Sequence, residues 1–263
     1  MAESFVRFEI EGPVARLTLD RSARRNALTK AMLQQMTQFV CNAADNSQVR
    51  VIVLAAEGPV FCAGMDLAEM QQRDTEASGP EQWLKDSLVY HDLLLALLEA
   101  PQPALAVVQG PVLAGGVGLV LACDLVLAVE DAFFSLPEPK RGITASMVTP
   151  LLAFRSGAGH ASHLLLSGQQ VSATTMFQRG VCHEVVAGEQ LASATMTWID
   201  SIMTGSPAAL AASKRQIREA ANVNLHEQLR HAAQQSAEAR DSVDAREGLQ
   251  AFLEKRMPNW GVD

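Results

Sequence analysis

Runs of β-branched and apolar residues alternate with helical spacing along the first half of the chain. Glu11-Gly12-Pro13 separates the first two runs as a hairpin turn. Thr29 is expected to cap a helix reaching about Asp45, because apolar residues recur on one face of that stretch. A hairpin followed by strand and helix units indicates an α/β fold. The predicted strands span 5–10, 14–19, 49–55, 104–109 and 124–129.

The last third of the chain is predicted to be mainly helical, because apolar residues recur at helical spacing from about Pro150 onward. Gly205 ends one helix there, and Pro207 after Ser206 sits at a favoured first-turn position of the next. We place a soft boundary near residue 200, which predicts a core at 1–200 and a C-terminal helical region at 201–263. The predicted helices span roughly 158–166, 172–179, 189–203, 207–220, 224–239 and 242–256.

Composition limits the classes of function. The chain has 263 residues, of which 48% are hydrophobic, enough to bury one large core. Its formal net charge is −8, and the sequence lacks the clustered Lys and Arg residues that binding to nucleic-acid phosphates requires. No nucleic-acid partner is therefore expected. The longest apolar run, 117–127, is broken by Asp124 and is too short to span a bilayer.

Location is predicted from the cysteines and the N-terminus. Cys41, Cys62, Cys123 and Cys182 form no CxxC pair, and no His lies at zinc-ligand spacing, so we expect free thiols and no metal site. The first 11 residues carry four charged side chains and no apolar run, which argues against a signal peptide. A cytoplasmic location is the expectation.

Two turns built from small residues stand out as candidate chemistry. Cys62-Ala63-Gly64 follows the apolar stretch 51–56, and 114–118 reads Ala-Gly-Gly-Val-Gly after another predicted strand. Small residues leave backbone N–H groups uncovered, and such groups stabilise a developing oxyanion. Tight strand-to-helix turns without a chemical role are the alternative interpretation. A dinucleotide site is disfavoured, because G-x-G-x-x-G spacing would need Gly or Ala at 121, where the chain has leucine.

Five segments together resemble one family. They read RRNAL at 24–28, FCAGMDL at 61–67, VQGPVLAGGVGLVLACDLVLA at 108–128, FSLPEPKRGI at 134–143 and REGLQAFLEKR at 246–256. In this order and spacing they are similar to the crotonase (enoyl-CoA hydratase/isomerase) superfamily. The resemblance implies a crotonase-like spiral of ββα units with a C-terminal helical trimerisation region. It also implies acyl-CoA thioester substrates, assembly as a homotrimer or a dimer of trimers, and no cofactor beyond the coenzyme A of the substrate.

The resemblance also assigns binding roles to individual residues. The N–H groups of Met65 and Gly115 match the family's oxyanion hole for the thioester enolate. The other expected substrate contacts are Arg24, Arg25, Asn26, Ala27 and Leu28 along the pantetheine and adenine, Ala63, Asp66 and Leu67 around the adenine, Phe252 and Lys255 contributed by a neighbouring subunit, and also Gly64 and Ser146.

The acid/base residues depart from the family's pattern. Of the two glutamates that hydratases of this family use, the first falls on Gly118 and is missing, whereas the second matches Glu138. Ser146 stands where a backbone-exposing glycine is typical. His91 lies on an apolar helical stripe and matches a catalytic histidine of a relative, chlorobenzoyl-CoA dehalogenase, although a satisfied core histidine is the alternative.

These residues predict an enzyme of the enoyl-CoA hydratase/isomerase type, acting in fatty acid metabolism, in which Glu138 is the single carboxylate that moves a proton. Two alternatives stay open. One is a decarboxylase or another enolate-based reaction in which Glu138 is structural and His91 provides the polar group. The other is a non-catalytic acyl-CoA-binding protein that retains the oxyanion turns.

Overall fold

A six-stranded sheet forms the centre of the computed structural model, which describes residues 5–76, 79–221 and 224–261. All five strands predicted from the hydrophobic pattern are present, with ends shifted by at most two residues. The first two strands pair antiparallel as the expected hairpin, and the others add in parallel in the order β1-β2-β3-β4-β6-β9. These strands are β1 (Val6–Glu11), β2 (Val14–Leu19), β3 (Val51–Ala56), β4 (Ala104–Val108), β6 (Leu125–Val129) and β9 (Glu184–Val186).

A second sheet of three short strands was not anticipated from the sequence. It contains β5 (Val112–Leu113), β7 (Phe133–Ser135) and β8 (Val171–Ser172). After β4 and after β6 the chain runs from the large sheet into the small one and then into a helix, and a bridge from Cys62 to Val112 repeats this after β3. The repetition is the expected spiral of ββα units.

Ten helices surround the sheets within the described residues. One expectation was wrong: the helix predicted at 158–166 begins at Val148 and kinks at Gly157, whose φ of 76° departs from helical geometry and interrupts the pattern. The helices are α1 (Lys30–Asp45), α2 (Leu67–Glu76), α3 (Pro80–Glu99), α4 (Gly115–Ala122), α5 (Val148–Ser167), α6 (Ala173–Gln178), α7 (Leu191–Met203), α8 (Pro207–Ala220), α9 (Leu225–Arg240) and α10 (Val243–Leu253).

The central strands β3, β4 and β6 of the large sheet are buried on both faces, which explains their continuous apolar runs. Ile52 and Leu54 face the main core. Val51 and Val53 face the opposite side, where they belong to a smaller cluster with Ile199 and Ile202 of α7. On the main side, α9 packs along α3, and its residues Leu225, Leu229, Ala232 and Ala233 belong to that same core. The division of the chain near residue 200 stays a prediction.

Lys214 fixes α8 to the end of the sheet through a buried ion pair. Its Nζ lies 2.7 Å from Oδ2 of Asp124 and donates to the carbonyl oxygens of Leu97 and Gln102 at 3.0 and 3.3 Å. The same carboxylate accepts the N–H of Ala104, the first residue of β4, at 2.8 Å. Burial lowers the pKa of Lys214, against the raising influence of Asp124.

Replacing Lys214 by methionine should lower the free energy of unfolding by about 2–3 kcal/mol, because the carboxylate and two carbonyl oxygens lose a charged donor. Arg215→Met is the matched control, since Arg215 is exposed on the same helix. Urea unfolding followed by circular dichroism measures both variants. Equal midpoints for the two variants would contradict the structural role of Lys214.

Candidate active site

The loop before α1 is fixed by Asn26, whose side chain is fully buried. Its Nδ2 donates to the carbonyl oxygens of Glu57 and Val60 at 2.9 and 2.8 Å, and its Oδ1 accepts the N–H of Arg21 at 2.8 Å. Asn26 adopts a left-handed backbone conformation, with φ of 52°, which asparagine tolerates better than most residues. These bonds tie the loop to the segment that leaves β3.

The turn at Gly64 ends the short extended segment in which Cys62 pairs with Val112. Gly64 has φ of 86°, and a Cβ on it would lie 2.5 Å from Cβ of Ala114 and 3.1 Å from the backbone nitrogen of Gly115. Leu28 donates to the carbonyl of Gly64 at 2.8 Å and accepts the N–H of Asp66 at 2.9 Å. Because successive N–H groups of an extended chain point in opposite directions, the N–H of Met65 points away from Leu28.

The second turn places Gly115 beside the first. Ala114 is held at φ 52° and ψ −128°, a strained conformation for a residue with a side chain, and its own N–H donates to Ser135 at 2.9 Å. Gly115 opens α4, where backbone N–H groups have no partner inside the helix. Two backbone segments, Gly64–Met65 and Ala114–Gly115, therefore lie side by side at one wall of a cavity.

We call this cavity the central pocket. Its walls include Ala63, Met65, Gly115, Glu138, Ser146 and Arg240. Glu138 begins a 3₁₀ turn, Glu138–Arg141, and is only 6% exposed. Its Oε2 is buried and has no hydrogen-bond partner among the described residues. Burial raises the pKa of Glu138 to about 7, although a hydrogen bond from its own backbone N–H and the charge of Arg141 act to lower it.

Helix α10 holds this turn by direct backbone contact. A Cβ on Gly248 would lie 2.3 Å from the carbonyl carbon and oxygen of Arg141, and one on Gly142 would lie 2.0 Å from the carbonyl oxygen of Asp244. Phe252 of α10 stacks under the Arg141 guanidinium at 4.1 Å from the ring centroid. Phe252 thus contacts Arg141 of its own chain, and the contribution of Phe252 to a neighbouring subunit's site stays a prediction.

Tyr90 was missed by the sequence analysis, although it is the single tyrosine of the chain. It lines the central pocket, and its hydroxyl donates to the carbonyl oxygen of Gly115. A Cβ on Gly118 would lie 2.1 Å from that hydroxyl oxygen. The aromatic side chain therefore fills the space beside the position where family hydratases carry their first glutamate.

His91, expected as a second polar group, does not line the central pocket or the pocket next to it, whereas Tyr90 lines both. Its side chain is buried, and Nδ1 lies 3.0 Å from Oδ1 of Asp92. The apolar stripe was right about burial, but helical spacing alone could not tell which of two successive residues, Tyr90 or His91, faces the cavity.

A groove beside the central pocket contains most of the expected coenzyme A contacts. We call it the cationic groove; it is lined by Arg24, Arg25, Ala27, Ala63, Met65, Asp66, Leu67, Arg141 and Phe252 among others. Asp66 pairs with Arg21 at 2.7 Å, and although burial acts to raise the pKa of Asp66, the bonds from Arg21 and from backbone N–H groups lower it.

The remaining expected residues lie elsewhere. Leu28 lines a second pocket next to the central one, and Gly64 supports the turn through its backbone. Ser146 lines the central pocket with its Oγ 2.5 Å from Oγ1 of Thr144. Lys255 follows α10 in a left-handed conformation and is not among the residues that line the described pockets.

No cluster of three or more His, Cys, Asp or Glu side chains that could hold a metal ion occurs in 5–76, 79–221 and 224–261. Within the same ranges, no helix is both long enough and apolar enough to cross a membrane.

Comparison with known proteins gives consistent matches over the whole chain. Residues 9–262 match the family model described as enoyl-CoA hydratase/isomerase. The chain is 34% identical to the 2,3-dehydroadipyl-CoA hydratase of Escherichia coli over 93% of each chain. It is 30% identical to enoyl-CoA hydratase domain-containing protein 3, mitochondrial, of Mus musculus over 94% of this chain and 81% of that one.

Solved structures agree with these matches. The crystal structure of an enoyl-CoA hydratase from Mycobacterium avium superposes with a TM-score of 0.86 at 33% identity, covering 98% of this chain and 99% of that one. An enoyl-CoA hydratase/isomerase from Xanthobacter autotrophicus Py2 gives 0.86 at 30% identity, covering 96% and 97%.

Gly118→Ala should lower the free energy of unfolding by about 1–3 kcal/mol, because the new methyl group overlaps the Tyr90 hydroxyl. Adding Tyr90→Phe removes that overlap and should recover about 1 kcal/mol or more. Gly159→Ala is the control, since a Cβ there meets no atom within 4 Å. Thermal unfolding of the single and double variants measures this coupling, and strictly additive effects would contradict the proximity of Tyr90 to position 118.

Proposed function

The chain belongs to the enoyl-CoA hydratase/isomerase family, and on that premise we propose that it hydrates enoyl-CoA thioesters or shifts their double bond, with Glu138 as the proton carrier. The observation that carries the proposal is the buried Glu138 carboxyl, whose Oε2 has no partner among the described residues and which lines the same cavity as Gly115. A carboxyl group is otherwise expensive to bury without a partner.

The oxyanion hole is the first element of the proposed mechanism. The thioester carbonyl oxygen accepts hydrogen bonds from the N–H groups of Met65 and Gly115 and carries the negative charge of the enolate. Backbone donors that are fixed before the reaction need no reorganisation, and each contributes roughly 3 kcal/mol to lowering the barrier. The side-by-side turns at Gly64 and Ala114 support this role.

Glu138 moves the proton. In hydration, the carboxylate takes a proton from water while the water oxygen bonds to C3, the electrons of the double bond move to the thioester oxygen, and the carboxyl group then returns the proton to C2. In isomerisation, the carboxylate removes a proton from C2 of a 3-enoyl thioester and returns it to C4. A pKa near 7 suits both directions of transfer.

Isomerisation is the second candidate because of Tyr90. Its hydroxyl occupies the space beside Gly118 and bonds the carbonyl of Gly115, which argues against a second proton carrier at that position. A single carboxyl group is sufficient for isomerisation, whereas hydration with one carboxyl group needs it to serve water and carbon in turn. The relatives named hydratases favour hydration.

The cationic groove supports coenzyme A as the carrier. A ligand with several phosphate charges meets a protein of net charge −8, so local cations are required, and Arg24, Arg25 and Arg141 line the groove. The proposal needs no cofactor besides the coenzyme A of the substrate. A role in fatty acid metabolism and a cytoplasmic location remain part of the proposal; one relative is named mitochondrial.

Assembly as a homotrimer or a dimer of trimers, through the region 201–263, is also proposed. Apolar side chains on this region are exposed in the single chain, with Ile217 at 62%, Val243 at 72% and Met257 at 86%. Exposed apolar surface of this kind is typical of a face that another protein surface covers.

Glu138→Gln should lower kcat by roughly 10²- to 10⁴-fold, because an amide keeps the shape of the carboxyl but accepts no proton. Crotonyl-CoA and 3-hexenoyl-CoA are the substrates, and absorbance of the conjugated thioester falls on hydration and rises on isomerisation. Glu130→Gln, at an exposed turn, is the control. Full activity of Glu138→Gln would reject the role of Glu138, and a wild-type protein that binds both esters without converting either would favour a non-catalytic binder.

The pH dependence tests the same carboxyl group from another side. Since the pKa of Glu138 is raised to about 7 in the folded state, its stabilising contribution is present below the unfolded pKa and is lost as pH rises through about 7. Glu138→Gln should therefore stabilise the protein more at pH 8 than at pH 5. In the wild type, kcat/KM should rise with a midpoint near 7 as the carboxylate forms. If the difference in the free energy of unfolding between wild type and Glu138→Gln were the same at pH 5 and pH 8, the raised pKa of Glu138 would be contradicted.

A further inference from the structure

A second pocket adjoins the central pocket and differs from it in polarity. The two share the wall residues Met65, Met70, Tyr90, Met147, Ser236 and Arg240. The other walls of the second pocket include Lys30, Asp66, Glu69, Asp86 and Ser87, so we call it the polar pocket. An acyl chain that extends past the central pocket therefore meets charged and hydrogen-bonding groups.

Arg240 stands at the junction of the two pockets. It lies one helical turn after Ser236 on α9, so the two side chains project from the same face of that helix. Arg240 is only 9% exposed, and its guanidinium carbon lies 5.9 Å from the ring centroid of Trp83. A buried guanidinium is thus positioned on the wall that both pockets share.

The acidic side chains of the polar pocket are engaged by other donors. Asp66 pairs with Arg21 at 2.7 Å, and Asp86 pairs with Nζ of Lys30 at 3.0 Å. Oε2 of Glu69 accepts the backbone N–H of Lys30 at 3.0 Å. Each carboxylate therefore has a cation or an N–H group other than Arg240 beside it, which lowers the repulsion that an anionic ligand would meet.

We propose that the enoyl-CoA substrate of this site carries a second carboxylate on its acyl chain, bound by Arg240 with help from Ser236. This inference rests on the proposed function. An alkyl terminus would press hydrocarbon against Arg240 and Lys30 and strip water from them without replacing its hydrogen bonds. A carboxylate replaces those bonds, and because a guanidinium carries five N–H donors, it can bind alongside the contacts that Arg240 already makes.

The test compares two thioesters with six acyl carbons, 2-hexenoyl-CoA and 2,3-dehydroadipyl-CoA, which differ at the far end of the chain. Wild type should prefer the carboxylated thioester in kcat/KM by roughly 10- to 100-fold, mainly through KM. Arg240→Met should abolish this preference, and Arg240→Lys should retain part of it, since it keeps the charge but not the planar fork. Arg230→Met, exposed on the same helix, is the matched control and should keep the wild-type ratio.

Equal kcat/KM values for the two thioesters in the wild type would overturn the inference, whether or not the variants fold. A preference that persists in folded Arg240→Met would overturn the role of Arg240. If neither thioester is converted, the proposed function fails, and calorimetric binding of saturated adipyl-CoA and hexanoyl-CoA to the wild type still decides. Tighter binding of adipyl-CoA supports carboxylate recognition, and equal binding rejects it.

Discussion

Close approach of two backbone segments is the constraint on which the site depends. A Cβ added to Gly64 would overlap Cβ of Ala114. A Cβ added to Gly116 would likewise lie only 2.7 Å from Cβ of Cys62. Asn26 holds the first segment from behind, and Ala114 keeps a strained conformation on the second. Strain of this kind costs on the order of 1–3 kcal/mol and persists only where the surroundings enforce it. The fold supplies that enforcement through the bridge between Cys62 and Val112 and the bond from Ala114 to Ser135.

A second constraint is the burial of Glu138, whose Oε2 has no hydrogen-bond partner in the described part of the chain. The carboxyl stays in place because its turn is anchored through the backbone, where Gly142 and Gly248 allow α10 to contact the turn directly. Arg141 is directed toward Phe252 and the cationic groove, and its charge only partly opposes the effect of burial. The raised pKa of Glu138 is therefore a consequence of burial, and α10 supports it by holding the turn in place.

The sequence predicts those parts of the fold in which one physical signal dominates. Doubly buried parallel strands such as β3 and β4 give continuous apolar runs, and five strands of the large sheet, the antiparallel β1 among them, were located to within two residues. The small sheet was not predicted, because strands of two or three residues, such as Val112–Leu113, are too short to show the alternation of apolar and polar residues. At the site, the backbone turns and Glu138 follow from the motifs, whereas Tyr90 and Arg240 do not. Both are positioned by contacts between distant helices, and helical spacing within α3 does not distinguish Tyr90 from His91.

In the proposed enzyme, the residues that the motifs predict are assigned to the chemistry, and Arg240, which the motifs do not predict, is assigned to substrate selectivity. The groups assigned to the chemistry are two backbone N–H donors, placed by the turns at Gly64 and Ala114, and one carboxyl group, held by the turn that α10 contacts. The groups assigned to substrate choice, Ser236 and Arg240, lie in the C-terminal half of α9, on the same face as the core residues Leu225 and Leu229 nearer its start. We expect substitutions of Ser236 and Arg240 to alter polarity and charge at the acyl end of the proposed site without moving the turns at Gly64 and Ala114, because those turns belong to other elements. In the proposed enzyme, selectivity for the acyl chain is therefore separable from enolate stabilisation, because the two are assigned to different elements of the fold.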